Sequence, residues 1–331
     1  MSVVSFKERR KKQLGIKSLG DQIRSGEVVN DIDPKLFIHG PSYMDCLTEK
    51  WSKRELMTVI GGSGVGKSSI ALEIFRHILL NNDNPDSVVV FVSLEMTTQK
   101  IASRWRKMTA DLPHLADRLY VISNYDENGK SRMLNTEDIL NETRMIKEAL
   151  EVDILSVCVD HLHIIAPTKG QGDDINKIAW RLKEIAVETN SFLIALAQTT
   201  KGKQGAYSDK PLDADAVYGA SQLKWASSFM LSAHRPLGML GDKALNCLAW
   251  GYVKVREKHP NDPLHVGVYQ LLKYNESTGT LDEMSRDDML FFNNQYSQVL
   301  ELKQNMEEES DFALYNTKVD GKAISDREHF A

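Results

Sequence analysis

A mostly parallel α/β sheet, flanked by helices and closed by an antiparallel hairpin, is the fold class this sequence predicts. Three observations predict it. Apolar runs of strand length alternate with stretches of helical period between about residue 41 and residue 285. The run Gly61-Gly62-Ser63-Gly64-Val65-Gly66-Lys67-Ser68 stands between an apolar strand and an amphipathic helix. The last strands of this region follow one another with Pro260-Asn261-Asp262-Pro263 between them, the mark of a hairpin.

Taken in order, residues 1–40 open with a charged stretch from Lys7 to Lys12 and then show Leu14, Ile16, Leu19 and Ile23 as their main apolar recurrence. So little apolar surface cannot bury a core, so this segment is expected to be an arm with a short helix, packed on the main domain or on a neighbouring subunit. In the main domain, 41–285, the expected strands are Met57–Ile60, Val88–Ser93, Leu119–Ser123, Ile154–Asp160, Phe192–Ala197, Phe229–Ser232, Leu245–Val255 and His265–Lys273. The expected helices are Lys67–Leu79, Gln99–Thr109, Thr136–Leu150 and Ile175–Glu188. Asn135 or Thr136 can cap the third helix, and Glu137 and Asp138 in its first turn suit the helix dipole. Strands separated by helices imply right-handed crossovers and therefore parallel pairing. Beyond residue 285 the pattern fades into a short helix near Gln295–Met306 and an acidic, partly disordered tail, 286–331, with Glu307-Glu308-Glu309 and Asp311.

Composition narrows the function classes. The chain of 331 residues is 42% hydrophobic and 26% charged, as expected of a soluble globular protein with one large domain and extensions. Its apolar runs are strand-length and interrupted, so no membrane span is expected. A net charge of −5 excludes a basic coat protein and confines any nucleic-acid contact to a local patch. Cys46, Cys158 and Cys247 are far apart and share no metal-like spacing with histidines, which points to packing roles in a reducing compartment.

The chemistry starts at the glycine-rich run, which fits G-x-x-x-x-G-K-[ST], the Walker A pattern of a P-loop NTPase. Its glycines let successive backbone N–H groups turn toward a phosphate chain at a helix N-terminus. Gly61, Gly62, Ser63, Gly64, Val65, Gly66, Lys67, Ser68 and Ser69 form the expected nucleotide cradle. Lys67 would reach the β- and γ-phosphates of ATP, and Ser68 would ligate Mg²⁺. The leading residues Leu56-Met57-Thr58-Val59-Ile60 read as a buried strand, and Ile70, Ala71, Ile74, Phe75 and Ile78 give the following helix its apolar face. Hydrolysis needs more than a cradle. Asp160 ends an apolar strand, where a parallel sheet presents a carboxylate to a metal. Glu95, in Ser93-Leu94-Glu95-Met96, ends the strand after the cradle helix and is the candidate base for water, on the expectation that the two strands are neighbours. Gln198 ends a further strand, and its amide could bond both the γ-phosphate and the loop that follows.

The order of these pieces, with Val159-Asp160-His161-Leu162, Ala197-Gln198-Thr199-Thr200 and Lys254-Val255-Arg256, resembles the RecA-type ATPase domain of DnaB-like replicative ring helicases. Met44-Asp45-Cys46-Leu47-Thr48 and Glu55-Leu56-Met57 resemble the approach to the cradle in that family, and the likeness spans roughly residues 41–282. The resemblance implies a RecA-like P-loop fold and an ATP-driven, hexameric helicase that moves along single-stranded DNA during replication. By matching position it makes Glu95 the catalytic base, Asp160 the residue that orders Mg²⁺, and Gln198 the γ-phosphate sensor. Lys254 and Arg256 become the cations offered to a neighbouring subunit's ATP. It further implies that Lys169 in Thr168–Gly172, and Lys201 and Lys203 in Thr200–Gly205, contact single-stranded DNA from glycine-rich pore loops.

The same resemblance implies a cytoplasmic location, in a bacterial cell or a phage-infected host, and a primase, polymerase or loader as a partner for the terminal segments. Thr200-Lys201 replaces the arginine usual after the sensor glutamine, and Tyr218–Leu223 follows the family pattern only loosely. Nothing in the forty-residue arm resembles the N-terminal helical domain of the bacterial relatives. Two other readings share the cradle. One is a recombinase-like filament on single strands. The other is a nucleotide-switched scaffold or loader partner that scarcely hydrolyses ATP.

Overall fold

The computed structural model describes residues 37–38 and 51–325, except 83, 126–129, 166–174, 200–211, 216, 218–219, 257–265 and 267–268, with backbone alone at 37–38, 176, 220 and 306–325. The chain divides into two units, Met1–Phe37 and Ile38–Ala331; among the described residues the first contributes only Phe37, and everything below belongs to the second.

Among the described residues nine strands form one sheet. They are β1 (Leu56–Gly61), β2 (Val88–Ser93), β3 (Leu119–Ser123), β4 (Ile154–Asp160), β5 (Phe192–Gln198), β6 (Phe229–His234), β7 (Cys247–Val255), β8 (Tyr269–Tyr274) and β9 (Leu281–Glu283). Their spatial order is β9-β8-β7-β6-β1-β5-β4-β2-β3. Pairing is parallel from β6 across to β3 and antiparallel from β6 out to β9. The sequence expectation of a parallel sheet ending in an antiparallel hairpin is therefore met. The hairpin turn at Pro260–Pro263 lies outside the described residues.

Every residue of β1, β2 and β4 is buried, which is why these strands read as unbroken apolar runs instead of alternating ones. Helices cover both faces. One core packs α1 (Lys67–Leu80) and α2 (Thr98–Met108) against Val59, Phe91, Cys158, Ile194 and Leu231. The other packs α3 (Thr136–Leu150), α4 (Ile175–Thr189) and α5 (Ala220–Ala226) against Ile60, Val92, Val157, Leu193 and Met230. Successive residues of each strand thus feed opposite cores, as the two-residue period requires.

Local signals explain the ends. Asn135 caps α3 by accepting from the backbone N–H of Glu137 and Asp138, and Asp138 accepts in return from the N–H of Asn135, a reciprocal capping box. The last helix departs from expectation, because α6 runs from Arg286 to Ser325 instead of from Gln295 to Met306. Ser285 and Asp288 cap its start by mutual side-chain and backbone hydrogen bonds. No proline interrupts it, and glutamate is a good helix former, so the acidic run Glu307–Glu309 lies inside the helix. Phe292 and Val299 of α6 bury against Leu237 and Cys247.

Candidate active site

The end of β1 and the loop after it carry the site, and three glycines are there for two physical reasons. A Cβ on Gly61 would lie 2.8 Å from Val65 Cγ1 and 2.9 Å from the carbonyl oxygen of Ala233, so the backbones approach too closely for a side chain. Gly64 and Gly66 have φ of +74° and +109°, a region that side chains disfavour. With Gly66 turned in this way, α1 begins at Lys67 and its first N–H groups face the loop.

Lys67 folds back over that loop. Its ammonium donates to the carbonyls of Gly61 (2.9 Å) and Gly62 (2.8 Å), leaving one of its three donors for another acceptor. Burial pushes its pKa down to about 8, against the opposing pull of Asp160 and Glu95. Ser68 donates to Asp160 Oδ2 at 2.6 Å, joining the start of α1 to the end of β4. Burial raises the pKa of Asp160, while the Ser68 hydrogen bond and the nearby cations oppose the shift. The hydroxyl and carboxylate are hard oxygen donors side by side, a set that suits Mg²⁺, which takes few protein ligands and fills its shell with water and phosphate. Among the described residues no cluster of three or more His, Cys, Asp or Glu could hold a metal alone.

A cavity of about 390 Å³ opens above the loop, lined by Ser63 to Ser69 together with Glu95, Asp160 and Gln198. The sequence expected β1 and β2 to be neighbours, and this is corrected, since β5 and β4 lie between them. Glu95 still reaches the cavity, because Ser93 is in register with Asp160 and the Leu94 N–H donates to the Asp160 carbonyl at 2.8 Å. Gln198 reaches it because it pairs with Gly61 at the end of β5. Five residues expected at one site from separate motifs therefore share one cavity: Lys67, Ser68, Glu95, Asp160 and Gln198.

Lys254 and Arg256 lie elsewhere. The Arg256 N–H donates to the Ser228 carbonyl, and the Ser228 N–H to that of Leu56, so both cations sit at the opposite end of the sheet from the glycine loop. The length of β1, roughly 17 Å at about 3.3 Å per residue, separates them from their own cradle. Arg256 is exposed. Lys254 donates to the Ser227 carbonyl at 2.7 Å and to that of Lys224, and burial, aided by Arg256 and Lys224, pushes its pKa down to about 8. Lys169, Lys201 and Lys203 lie outside the described residues, as does Cys46.

Sequence reasoning missed Arg104, His161, Arg235, Asn246 and Tyr274, all of which line the same cavity. Arg235 donates to Asn246 Oδ1 at 2.9 Å and to the Val65 carbonyl at 3.4 Å, so it braces the loop. The signal for Arg235 was available, since it follows β6 just as Gln198 ends β5. Tyr274 comes in from the antiparallel side, which no local pattern connects to the loop.

A glycine loop, a buried lysine and a serine–aspartate pair at the C-terminal edge of a parallel sheet define a P-loop nucleotide-binding fold. The AAA domain family matches residues 30–204, more than half of the chain, and the chain belongs to that family. It is 23% identical over 212 residues to the replicative DNA helicase DnaB of Mycoplasma genitalium, an alignment covering 58% of this chain and 45% of that protein. It is 24% identical over 202 residues to the replicative DNA helicase DnaC of Bacillus subtilis, covering 53% and 42%. The chain thus spans less than half the length of the curated relatives it matches. Among solved structures, a DnaB-like replicative helicase described with its interactions with primase superposes with a TM-score of 0.60 at 17% identity, over 85% of this chain and 71% of that one. The ATPase domain of G40P superposes with a TM-score of 0.59 at 16% identity, over 81% and 97%. The fold is that of DnaB-like helicase ATPase domains. No helix among the described residues is long and apolar enough to cross a membrane.

Proposed function

We propose that this protein is an ATP-dependent DNA helicase, a ring-shaped, hexameric motor that hydrolyses ATP at subunit interfaces while moving along single-stranded DNA and unwinding duplex. The observation that carries this reading is the separation of charges: the phosphate cradle and its acids lie at one end of β1, and the exposed Arg256 lies at the other. Such a cation cannot serve its own cradle, which supports the reading that it serves a neighbour's in a motor built from identical subunits.

In this reading the loop N–H groups and Lys67 hold the β- and γ-phosphates of ATP. Arg235, which donates to the Val65 carbonyl, keeps the loop in the shape that binding needs. Ser68 and Asp160 would hold Mg²⁺, which neutralises charge on the phosphates. Glu95 accepts the proton of the attacking water, and its exposure leaves it open to the cavity. Gln198 reads the γ-phosphate and passes its presence to the segment beyond β5. The partner's Arg256 stabilises charge on the transferring phosphoryl group, a contribution of on the order of 10³–10⁵ in rate where such a residue is supplied in trans. Lys254, held against carbonyls of its own chain, orients that strand end. Lys169, Lys201 and Lys203 are proposed to track the DNA phosphates, and the terminal segments to meet a primase, polymerase or loader in the cytoplasm of a bacterial cell or infected host.

The test is ATP turnover with and without single-stranded DNA at low salt, together with strand separation of a forked duplex. The reading expects DNA to raise turnover and the fork to open. Turnover that ignores DNA, with an intact fork, overturns it. Electron microscopy of the same sample distinguishes closed six-membered rings from the open filaments of a recombinase.

A further inference from the structure

Next to the proposed base lies a histidine that the reaction described above does not use. His161 follows Asp160 directly and lines the same cavity. Its side chain is only 8% exposed, and its Nε2 lies 3.8 Å from Glu95 Oε2. Its Nδ1 is buried and has no hydrogen-bond partner among the described residues. Burying a polar ring at this cost needs a return, because an unpaired buried polar atom is destabilising.

The backbone holds the two side chains in this relation. Ser93 and Asp160 are in register at the ends of β2 and β4, and the Leu94 N–H donates to the Asp160 carbonyl, so the next residues, Glu95 and His161, leave the sheet edge together. His161 is held from behind as well. Its carbonyl accepts from the Ile164 N–H at 3.0 Å, and its ring packs against that of His163 with centroids 5.6 Å apart. Among the described residues Glu95 has no such support, its side chain being 56% exposed. A rigid, buried donor therefore faces a carboxylate that must be fixed in one orientation to act.

We infer that His161 is a positioning residue for Glu95, its Nε2–H closing from 3.8 Å to hydrogen-bond distance and fixing the carboxylate that receives the proton from water. The inference rests on Glu95 being the base. A misplacement of this size in a reacting group costs up to about 10²-fold in rate, which sets the scale.

The experiment is a double-mutant cycle on the full chain, read by steady-state ATP turnover and by binding of a fluorescent ATP analogue. His161→Ala is expected to lower kcat by about 10- to 100-fold with analogue affinity unchanged. His161→Gln, whose amide N–H can occupy the place of Nε2–H, is expected to recover most of the loss. His161→Phe, which keeps the ring volume without the donor, is expected to behave like the alanine variant and decides the matter if that variant does not fold. In a Glu95→Gln background, His161→Ala should add nothing to the residual rate. Full turnover by His161→Phe, or an undiminished effect of His161→Ala in the Glu95→Gln background, overturns the inference. Normal turnover by Glu95→Gln alone would instead remove the reading on which it rests.

Discussion

Ser68 Oγ donates a 2.6 Å hydrogen bond to Asp160 Oδ2, so two residues 92 positions apart in the chain meet beneath the glycine loop. The pair ties the helix that presents phosphate-binding N–H groups to the strand that presents the carboxylate. Its consequences separate stability from activity, because burial disfavours the ionised form of Asp160.

Asp160→Asn removes that disfavoured charge and keeps an acceptor for Ser68. The variant is expected to melt at the same temperature as the parent protein or higher in the absence of nucleotide, while ATP turnover falls by on the order of 10²-fold. Scanning calorimetry and steady-state turnover on one preparation check both signs. A variant that is markedly less stable would mean that the ionised carboxylate holds the site together.

Gly61→Ala and Gly66→Ala are expected to differ in kind. The first places a methyl 2.8 Å from Val65 Cγ1 and 2.9 Å from a backbone oxygen, where the obstruction is partly immovable, and should cost about 1–3 kcal/mol of stability in urea unfolding. The second meets open space but a φ of +109°, so strain is its only cost, and its larger effect should be on nucleotide affinity because it re-aims the first N–H groups of α1.

His234, at the buried end of β6, has its pKa lowered to about 4 by burial, and its ring packs edge-on against Tyr269. The unfolded chain then binds the proton more readily than the folded one, so stability is full above about pH 6.5 and falls as pH drops toward 4. The contribution is at most roughly 3 kcal/mol. His234→Phe keeps an aromatic ring and removes the titration, so its melting temperature should depend less on pH across this window. An unchanged slope would show that other groups set the acid limit.

Thiol chemistry offers a further check. Cys158 and Cys247 are both buried, and burial pushes the Cys247 thiol up to about 12 and that of Cys158 well above its ordinary value. Neither should react with a thiol reagent at pH 8 in the folded protein, and both should react at once in denaturant. Fast labelling of Cys247 in the native protein would mean that the strand beside the cavity opens readily.

The fold was legible where the residues alone decide it. Val88–Ser93 and Ile154–Asp160 are strands buried on both faces and carry no competing signal, and Asn135 stands where a helix cap must stand. The cradle was legible because Gly61, Gly64 and Gly66 each satisfy a constraint that only glycine meets. Strand order was not, because sequence proximity of β1 and β2 says nothing about the insertion of β5 and β4 between them. The extent of α6 escaped for a related reason: from Leu300 to Asn305 none of its residues is buried, and a fading apolar pattern reads as the end of a helix. Tyr274 and Asn246 reach the cavity only through antiparallel pairing across β7 and β8, which no local motif encodes.

The most direct test of the account mixes two inactive proteins. Lys67→Ala lacks a working cradle and Arg256→Ala lacks the cation offered to a neighbour, so each alone should turn over little ATP, with Arg256→Ala still binding nucleotide. Mixed in equal amounts with single-stranded DNA, they form some interfaces that pair an intact cradle with an intact Arg256, and part of the turnover should return. If the mixture stays as inactive as its components, or if Arg256→Ala alone hydrolyses ATP at the full rate, sharing of the site between subunits is contradicted.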